Sequence, residues 1–325
     1  MSKKPKVGMW SGLTAVTAVL TAGAIVGTTV AFHYTTTVNN YLDADTYKII
    51  KGDSDEDTEY FKSDFTSDEE RESYEAELCA QVEAEGAALL KNDNNALPLA
   101  SGAKVSLFGH GSVDLMYGGT GSGSVDTSKA PNFKQALEDQ GIQVNSTLWD
   151  LYSSDDMMKN YSRITPAAIS DTLEANTQYA VNEAPWSKLS SAESSFADYG
   201  DAAIVVFSRS GGEGADLPSG ENGTNDSWIK GQEGDGNYLA LSAEEKELLQ
   251  NLKTLKDNGT FKKIIVLINS SNAIEMDFLN PEICGEDYGI DSAMWIGDVG
   301  QTGINGVAQL LAGEATPSGS LVDSY

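Results

Sequence analysis

Asp201 to Pro218 reads DAAIVVFSRSGGEGADLP, and this stretch decides the fold class. Ala202 to Phe207 is an unbroken apolar run rich in β-branched residues, the pattern of a strand covered on both faces in a parallel sheet. It breaks directly into Ser-Arg-Ser-Gly-Gly-Glu-Gly, so a buried strand delivers one carboxylate, Glu213, into a glycine-rich loop. Ligands of open α/β sheets bind outside the carboxyl ends of the strands, which puts Glu213, between Gly212 and Gly214, where it would face a ligand. On local pattern alone the same residue also reads as a solvated carboxylate in a surface turn.

On either side of this stretch the chain alternates. Lys104 to Phe108 predicts a strand, Asn132 to Gln140 a helix and Gln143 to Thr147 a strand. Ser242 to Asp257 predicts a long helix, Lys263 to Asn269 and Ser292 to Ile296 two strands, and Gly303 to Ala312 a helix. Strands alternating with helices specify a mostly parallel sheet sandwiched by helices, an α/β/α fold. Ser242 and Glu245 make a capping box ahead of an apolar stripe of Leu248, Leu249, Leu252 and Leu255, which is core. Upstream, Ser67 followed by Asp68, Glu69 and Glu70 predicts a helix running to about Lys91, with Leu78, Val82, Leu89 and Leu90 among its apolar positions. Tyr152 to Ala197 is polar and weakly periodic, a helical insertion or a long loop.

The chain has 325 residues, 40% of them apolar, enough for a real core. A formal charge of -28 argues against a nucleic-acid partner, because phosphates would be repelled, and leaves neutral ligands such as sugars compatible. Cys79 and Cys284 form no disulfide framework and no Cys-x-x-Cys pair, so structural thiols are expected. At the N-terminus Lys3, Lys4 and Lys6 (within a tail of residues 1–6) precede Val7 to Phe32, which contains no charged residue. At ~1.5 Å per residue that segment reaches roughly 39 Å as a helix, more than the ~30 Å hydrocarbon core requires. The flanking lysines predict a cytoplasmic amino terminus and an extracytoplasmic remainder anchored in the membrane. A cleaved signal peptide, with small residues at Thr21-Ala22-Gly23-Ala24, is the competing reading, and it too exports the folded part. Residues 33–67 are polar and acidic, with Asp53, Asp55, Glu56, Asp57 and Glu59 clustered, as in a self-repelling stalk, and residues 68–325 make the folded domain.

Other chemistries lack material. There is no Gly-x-Ser-x-Gly elbow, and the only histidines are His33, at the membrane boundary, and His110, which leaves little material for a serine-hydrolase triad or a histidine-rich metal site. Gly109-His110-Gly111 begins like a dinucleotide fingerprint, yet Asp114 stands where its third glycine is needed. Tyr117 to Ser124, YGGTGSGS, lacks the Lys-Ser/Thr ending of a P-loop; its glycines suit either close backbone approach to a ligand or a flexible surface loop. Neither a cofactor nor a metal is expected.

Seven blocks carry a resemblance over about Ser67 to Tyr325. They are AEGAALLKNDNNALPL (84–99), KVSLFGHGS (104–112), GGTGSGSV (118–125), FSRSGGEGAD (207–216), LSAEEKELL (241–249), KKIIVLINSSNAIEM (262–276) and MWIGDVGQTGINGVAQLLAGEATPSGSL (294–321). Their order and spacing resemble the α/β sandwich domain of glycoside hydrolase family 3. That resemblance implies a retaining exo-β-glycosidase, β-glucosidase-like, acting on an oligosaccharide or β-glycoside. It implies Glu213 as the acid/base, with Asp216, Gly119, Thr120, Gly121 and Ser122 lining the sugar site. The nucleophile would come from a (β/α)8 barrel, expected downstream in inverted domain order, so that this chain alone would lack it and be inactive. Leu217 and Ser320 stand where the family often has Arg, departures that leave open a noncatalytic carbohydrate-binding or cell-surface interaction module.

Overall fold

The computed structural model describes residues 7–42, 61–165, 179–213, 217, 237–323 and 325. The chain divides into two units, residues 1–64 and residues 65–325. Within the first, α1 (Val7–His33) is apolar around its whole circumference, and its Trp10–His33 portion is long and apolar enough to cross a membrane. A short helix, α2 (Thr35–Tyr41), follows, so the expected stalk begins in helical form. The acidic cluster at 53–59 lies outside the described residues.

The second unit opens with α3 (Asp68–Gly86). Ser67 caps it, its side chain accepting from the Glu70 amide at 3.2 Å, while three acids occupy the first turn. The helix ends earlier than its sequence suggests. Ala87 turns to an extended conformation and Ala88–Asn92 form a strand, β1, so Leu89 and Leu90 are strand residues. The physical reason is a partner that local pattern does not show: β1 pairs antiparallel with β6 (Ser292–Trp295), Ala88 opposite Trp295 and Asn92 opposite Ser292.

The remaining elements alternate as expected. They are β2 (Lys104–Phe108), α4 (Phe133–Asp139), β3 (Gln143–Val144), α5 (Ser146–Tyr152), α6 (Asp155–Tyr161), β4 (Ala202–Ser208), α7 (Ala243–Asp257), β5 (Ile264–Asn269), α8 (Pro281–Cys284) and, after β6, α9 (Ile304–Ala312). Among the described residues six strands form one sheet in the order β1-β6-β5-β4-β2-β3, parallel except for β1. The strand expected over Gln143 to Thr147 shrinks to two residues because the Asn145 side chain caps α5, accepting from the Leu148 amide at 3.3 Å. Part of the weakly periodic segment 152–197 proves to be core, supplying buried Tyr152, Tyr179, Leu189 and Phe196.

All residues of β4 and β5 are buried, as a strand covered on both faces must be. Alternate side chains divide between two layers. Val105, Leu107, Ile204, Val206, Ile265 and Leu267 pack under α4 and α9. Phe108, Val205, Phe207, Val266 and Ile268 pack under α5 and α7. On the first layer α3 lies close against α9: a Cβ on Gly306 would run into the Ala80 carbonyl, and Thr302 Oγ1 donates to Ala76 O at 3.0 Å.

Candidate active site

The sheet has a topological switch point between β2 and β4. From β2 the chain crosses through α4 outward to β3, while from β4 it crosses through α7 the opposite way to β5. The loops leaving the carboxyl ends of these neighbouring strands therefore separate, and such a crevice is where doubly wound sheets bind ligands. Glu213 emerges here, five residues beyond Ser208, the last residue of β4, and its side chain is exposed.

Glu213 is held by the glycine loop that follows β2. Thr120 and Gly212 form a parallel bridge, in which the Thr120 amide donates to Gly211 O at 3.0 Å and the Glu213 amide to Thr120 O at 3.3 Å. Thr120 Oγ1 donates to Glu213 O at 2.8 Å and also pairs at 2.8 Å with the hydroxyl of Tyr179, a fully buried side chain. The Ser122 backbone N–H donates to Glu213 Oε2 at 2.8 Å. That N–H holds the Glu213 carboxyl below the usual glutamate range, because it bonds the charged form. Glycines are required at two positions. Gly121, at φ 74°, lies so near that a Cβ there would strike the Glu213 carboxylate, and Gly212, at φ 139°, sits directly over the Thr120 amide.

Of the site residues expected from sequence, the structure thus gathers Gly119, Thr120, Gly121 and Ser122 against the Glu213 turn; Asp216 lies outside the described residues. Much of the supporting architecture is not evident from the sequence. Arg209, fully buried, sits at the root of the turn and meets Glu245 of α7 in a bidentate pair at 2.8 and 2.7 Å. It also donates to the carbonyls of Ser208, Tyr238 and Ala240. Glu245 simultaneously closes the α7 capping box, accepting from the Ser242 amide at 2.8 Å. The Tyr238 hydroxyl then bonds both the N–H and the C=O of Ser210. A second buried pair braces the start of the β2 loop: Glu183 Oε2 accepts from the His110 amide at 2.8 Å and lies 3.2 Å from His110 Nδ1. Asn269, at the end of β5, uses its side-chain amide to bond Met116 N, Met116 O and Gly297 O. The only sequence signals were a charged residue inside a strand exit, Arg209, and a capping glutamate, Glu245, whose second partner lies outside its helix.

The sequence profile of the Glycosyl hydrolase family 3 C-terminal domain matches residues 87–325. The chain belongs to glycoside hydrolase family 3. Among its family 3 relatives, a β-glucosidase of Ruminococcus albus is 30% identical over 251 residues, covering 76% of this chain and 22% of that protein. β-Glucosidase A of Butyrivibrio fibrisolvens is 30% identical over 266 residues, covering 77% and 28%. The solved structure of a β-glucosidase from Paenibacillus barengoltzii superposes with a TM-score of 0.55 at 27% identity, over 74% of this chain and 23% of that one. The chain thus spans about a quarter of the length of these relatives.

Proposed function

We propose that this domain supplies the general acid/base of a retaining exo-β-glycosidase acting on terminal β-linked sugars, with Glu213 as the catalytic carboxyl group. The observation that carries this reading is the exposed Glu213 side chain at the β2/β4 switch point, set on a turn fixed from below by Arg209 and from the side by Thr120. In a retaining mechanism two carboxyl groups stand about 5 to 5.5 Å apart across the scissile bond. One attacks the anomeric carbon. The other gives its proton to the departing oxygen and, as a carboxylate, then takes a proton from the water that opens the glycosyl-enzyme bond. Glu213 takes the second role, and a (β/α)8 barrel outside this chain contributes the nucleophile.

As described, Glu213 is held as an anion by the Ser122 amide, the form needed for the water-activating half-reaction. Proton donation requires the opposite protonation state. Closure of a barrel and a sugar over the turn would remove water from the carboxyl group and raise its pKa. The same amide contact favours a second reading, a noncatalytic sugar-binding module of the same fold. In both readings α1 anchors the domain in the membrane with the sandwich on the extracytoplasmic side.

The test uses the protein in which this domain is joined to its barrel. Glu213→Gln should lower kcat on alkyl β-glucosides by about 10²- to 10⁴-fold. Dinitrophenyl β-glucoside, whose leaving group needs no proton, should lose far less at the glycosylation step, and azide should restore its turnover. Undiminished hydrolysis of the alkyl glucosides by the variant would remove Glu213 from the mechanism.

A further inference from the structure

Helix α3 is apolar on two opposite sides. One side carries Ala80 and Ala84, buried where the helix packs on α9. The other carries Tyr74, Leu78 and Val82, which are 52%, 43% and 63% exposed. Single exposed apolar side chains are ordinary, but three spaced by four residues form a continuous strip on a helix. At ~3.6 residues per turn Arg71, Tyr74, Leu78, Val82 and Glu85 all lie within about 40° of one line, along roughly 21 Å of helix axis. The Phe65 ring, 5.3 Å from that of Tyr74, widens the apolar surface at one end.

The strip is self-complementary when a second helix runs antiparallel to it. A two-fold axis at Leu78 sets that leucine on the partner's Leu78, Tyr74 on the partner's Val82, and Arg71 on the partner's Glu85. Two-fold interfaces require this kind of matching, because each contact between unlike residues occurs twice. The acids fit the same register. Eight of the nineteen residues of α3 are acidic, and none meets an acid across that axis: Glu75 faces Gln81 and Glu72 faces Ala84. Sliding the partner by one turn sets Glu75 against Glu85 in one direction and Glu75 against Glu77 in the other, so charge selects one register. Arg71 holds Glu75 of its own helix at 2.7 Å and keeps 41% of its side chain exposed.

A lipid surface fits the strip less well. Helices that lie on membranes border their apolar face with Lys and Arg, whereas Glu75, Glu77 and Glu85 border this one, and anionic headgroups would repel them. Two copies at -28 each also repel one another at long range, which keeps the association reversible and sensitive to salt.

We infer that α3 is a homodimerisation surface, on which a second copy of this chain docks antiparallel about a two-fold axis at Leu78. The inference is independent of the role of Glu213.

The experiment uses the full chain in detergent at physiological salt, with Cys79→Ser and Cys284→Ser as background. Under mild oxidation Leu78→Cys should form a disulfide between copies, because a residue on the axis meets itself. Val82→Cys should not, since its two copies stand roughly 12 Å apart along the helices, whereas a mixture of Tyr74→Cys and Val82→Cys chains should cross-link. In sedimentation, Arg71→Glu and Glu85→Arg should each weaken the dimer by about tenfold or more, and the double reversal should return it to within about threefold of the parent. Positions 71 and 85 are roughly 21 Å apart in one copy, so such a recovery must come from across the interface. It also keeps the test clear of any harm a single reversal does to the helix. No cross-link at Leu78→Cys, an equally strong one at Val82→Cys alone, or no recovery in the double reversal overturns the inference. So does loss of the Leu78→Cys cross-link in the barrel-bearing protein, which would give the strip to the barrel.

Discussion

Replacing Glu245 by leucine strips a buried guanidinium of its counter-charge. Arg209 is fully buried and makes five hydrogen bonds, two of them to Glu245 at 2.8 and 2.7 Å and three to backbone carbonyls. In Glu245→Leu the carbonyl bonds remain, but the charge has no partner and no water. Breaking a buried pair from one side costs about 3–5 kcal/mol, and loss of the capping bond to Ser242 falls within that figure. For a folded unit spanning residues 65–325, each kcal/mol moves the midpoint by about 2–4 °C, so thermal unfolding followed by tryptophan fluorescence should shift down by about 6–20 °C. Adding Arg209→Met removes the stranded charge and should recover most of the loss, since an apolar pair of similar volume is often neutral relative to a buried ion pair. A single-variant shift under about 2 °C, or a double variant no better than the single, would refute the claim that this pair anchors the root of the Glu213 turn.

Gly121→Ala forces a side chain into the Glu213 carboxylate from a left-handed backbone position. It should cost about 1–2 kcal/mol in denaturant melts and raise the Glu213 titration midpoint toward the ordinary glutamate value, read by carbon-13 NMR; an unmoved midpoint contradicts the Ser122 contact. Burial, and secondarily Asp298, push the Glu83 carboxyl up to about 8. The fold then binds a proton that the unfolded chain gives up near 4.5, so this group's contribution is full below that value and is lost as pH rises through about 8. Urea midpoints should fall across that window and fall less steeply in Glu83→Gln, which should also be the more stable chain at about pH 8; coincident slopes exclude Glu83. Gly306→Ala should loosen α3 from α9 at a cost of about 1–3 kcal/mol, visible as faster proteolysis within α3, and unchanged cleavage there would contradict the packing.

The layers of the sandwich were legible because β2, β4, β5, α7 and α9 each announce themselves locally. A continuous apolar run, a capping box or a leucine stripe is a statement about near neighbours in sequence. What could not be read depends on distant ones. Leu89 and Leu90 extend a helical pattern and become strand only because Met294 and its neighbours offer an open side of β6. Glu213 was legible as a carboxylate at a strand exit, and the glycine loop as a nearby surface. The bond from Ser122 to Glu213 joins positions 91 apart, and Tyr179, which steadies Thr120, comes from a segment whose polarity hides a buried aromatic. Arg209 carries the strongest lesson: in sequence it is a charge between two serines, and only the approach of α7 turns it into the deepest ion pair near the site.

The antiparallel strand β1 bears on solubility. Without it, β6 would present a row of unpaired amides and carbonyls along a buried, apolar stretch, an open template for cross-chain pairing and aggregation. The opposite margin of the sheet is protected by brevity, since β3 has only two residues, whereas β1 guards its side with Lys91 and a register irregularity between Leu89 and Lys91. A shortened chain begun after Asn92 would keep every residue of the switch point yet expose that template, whereas one begun at Ala87 would keep it covered.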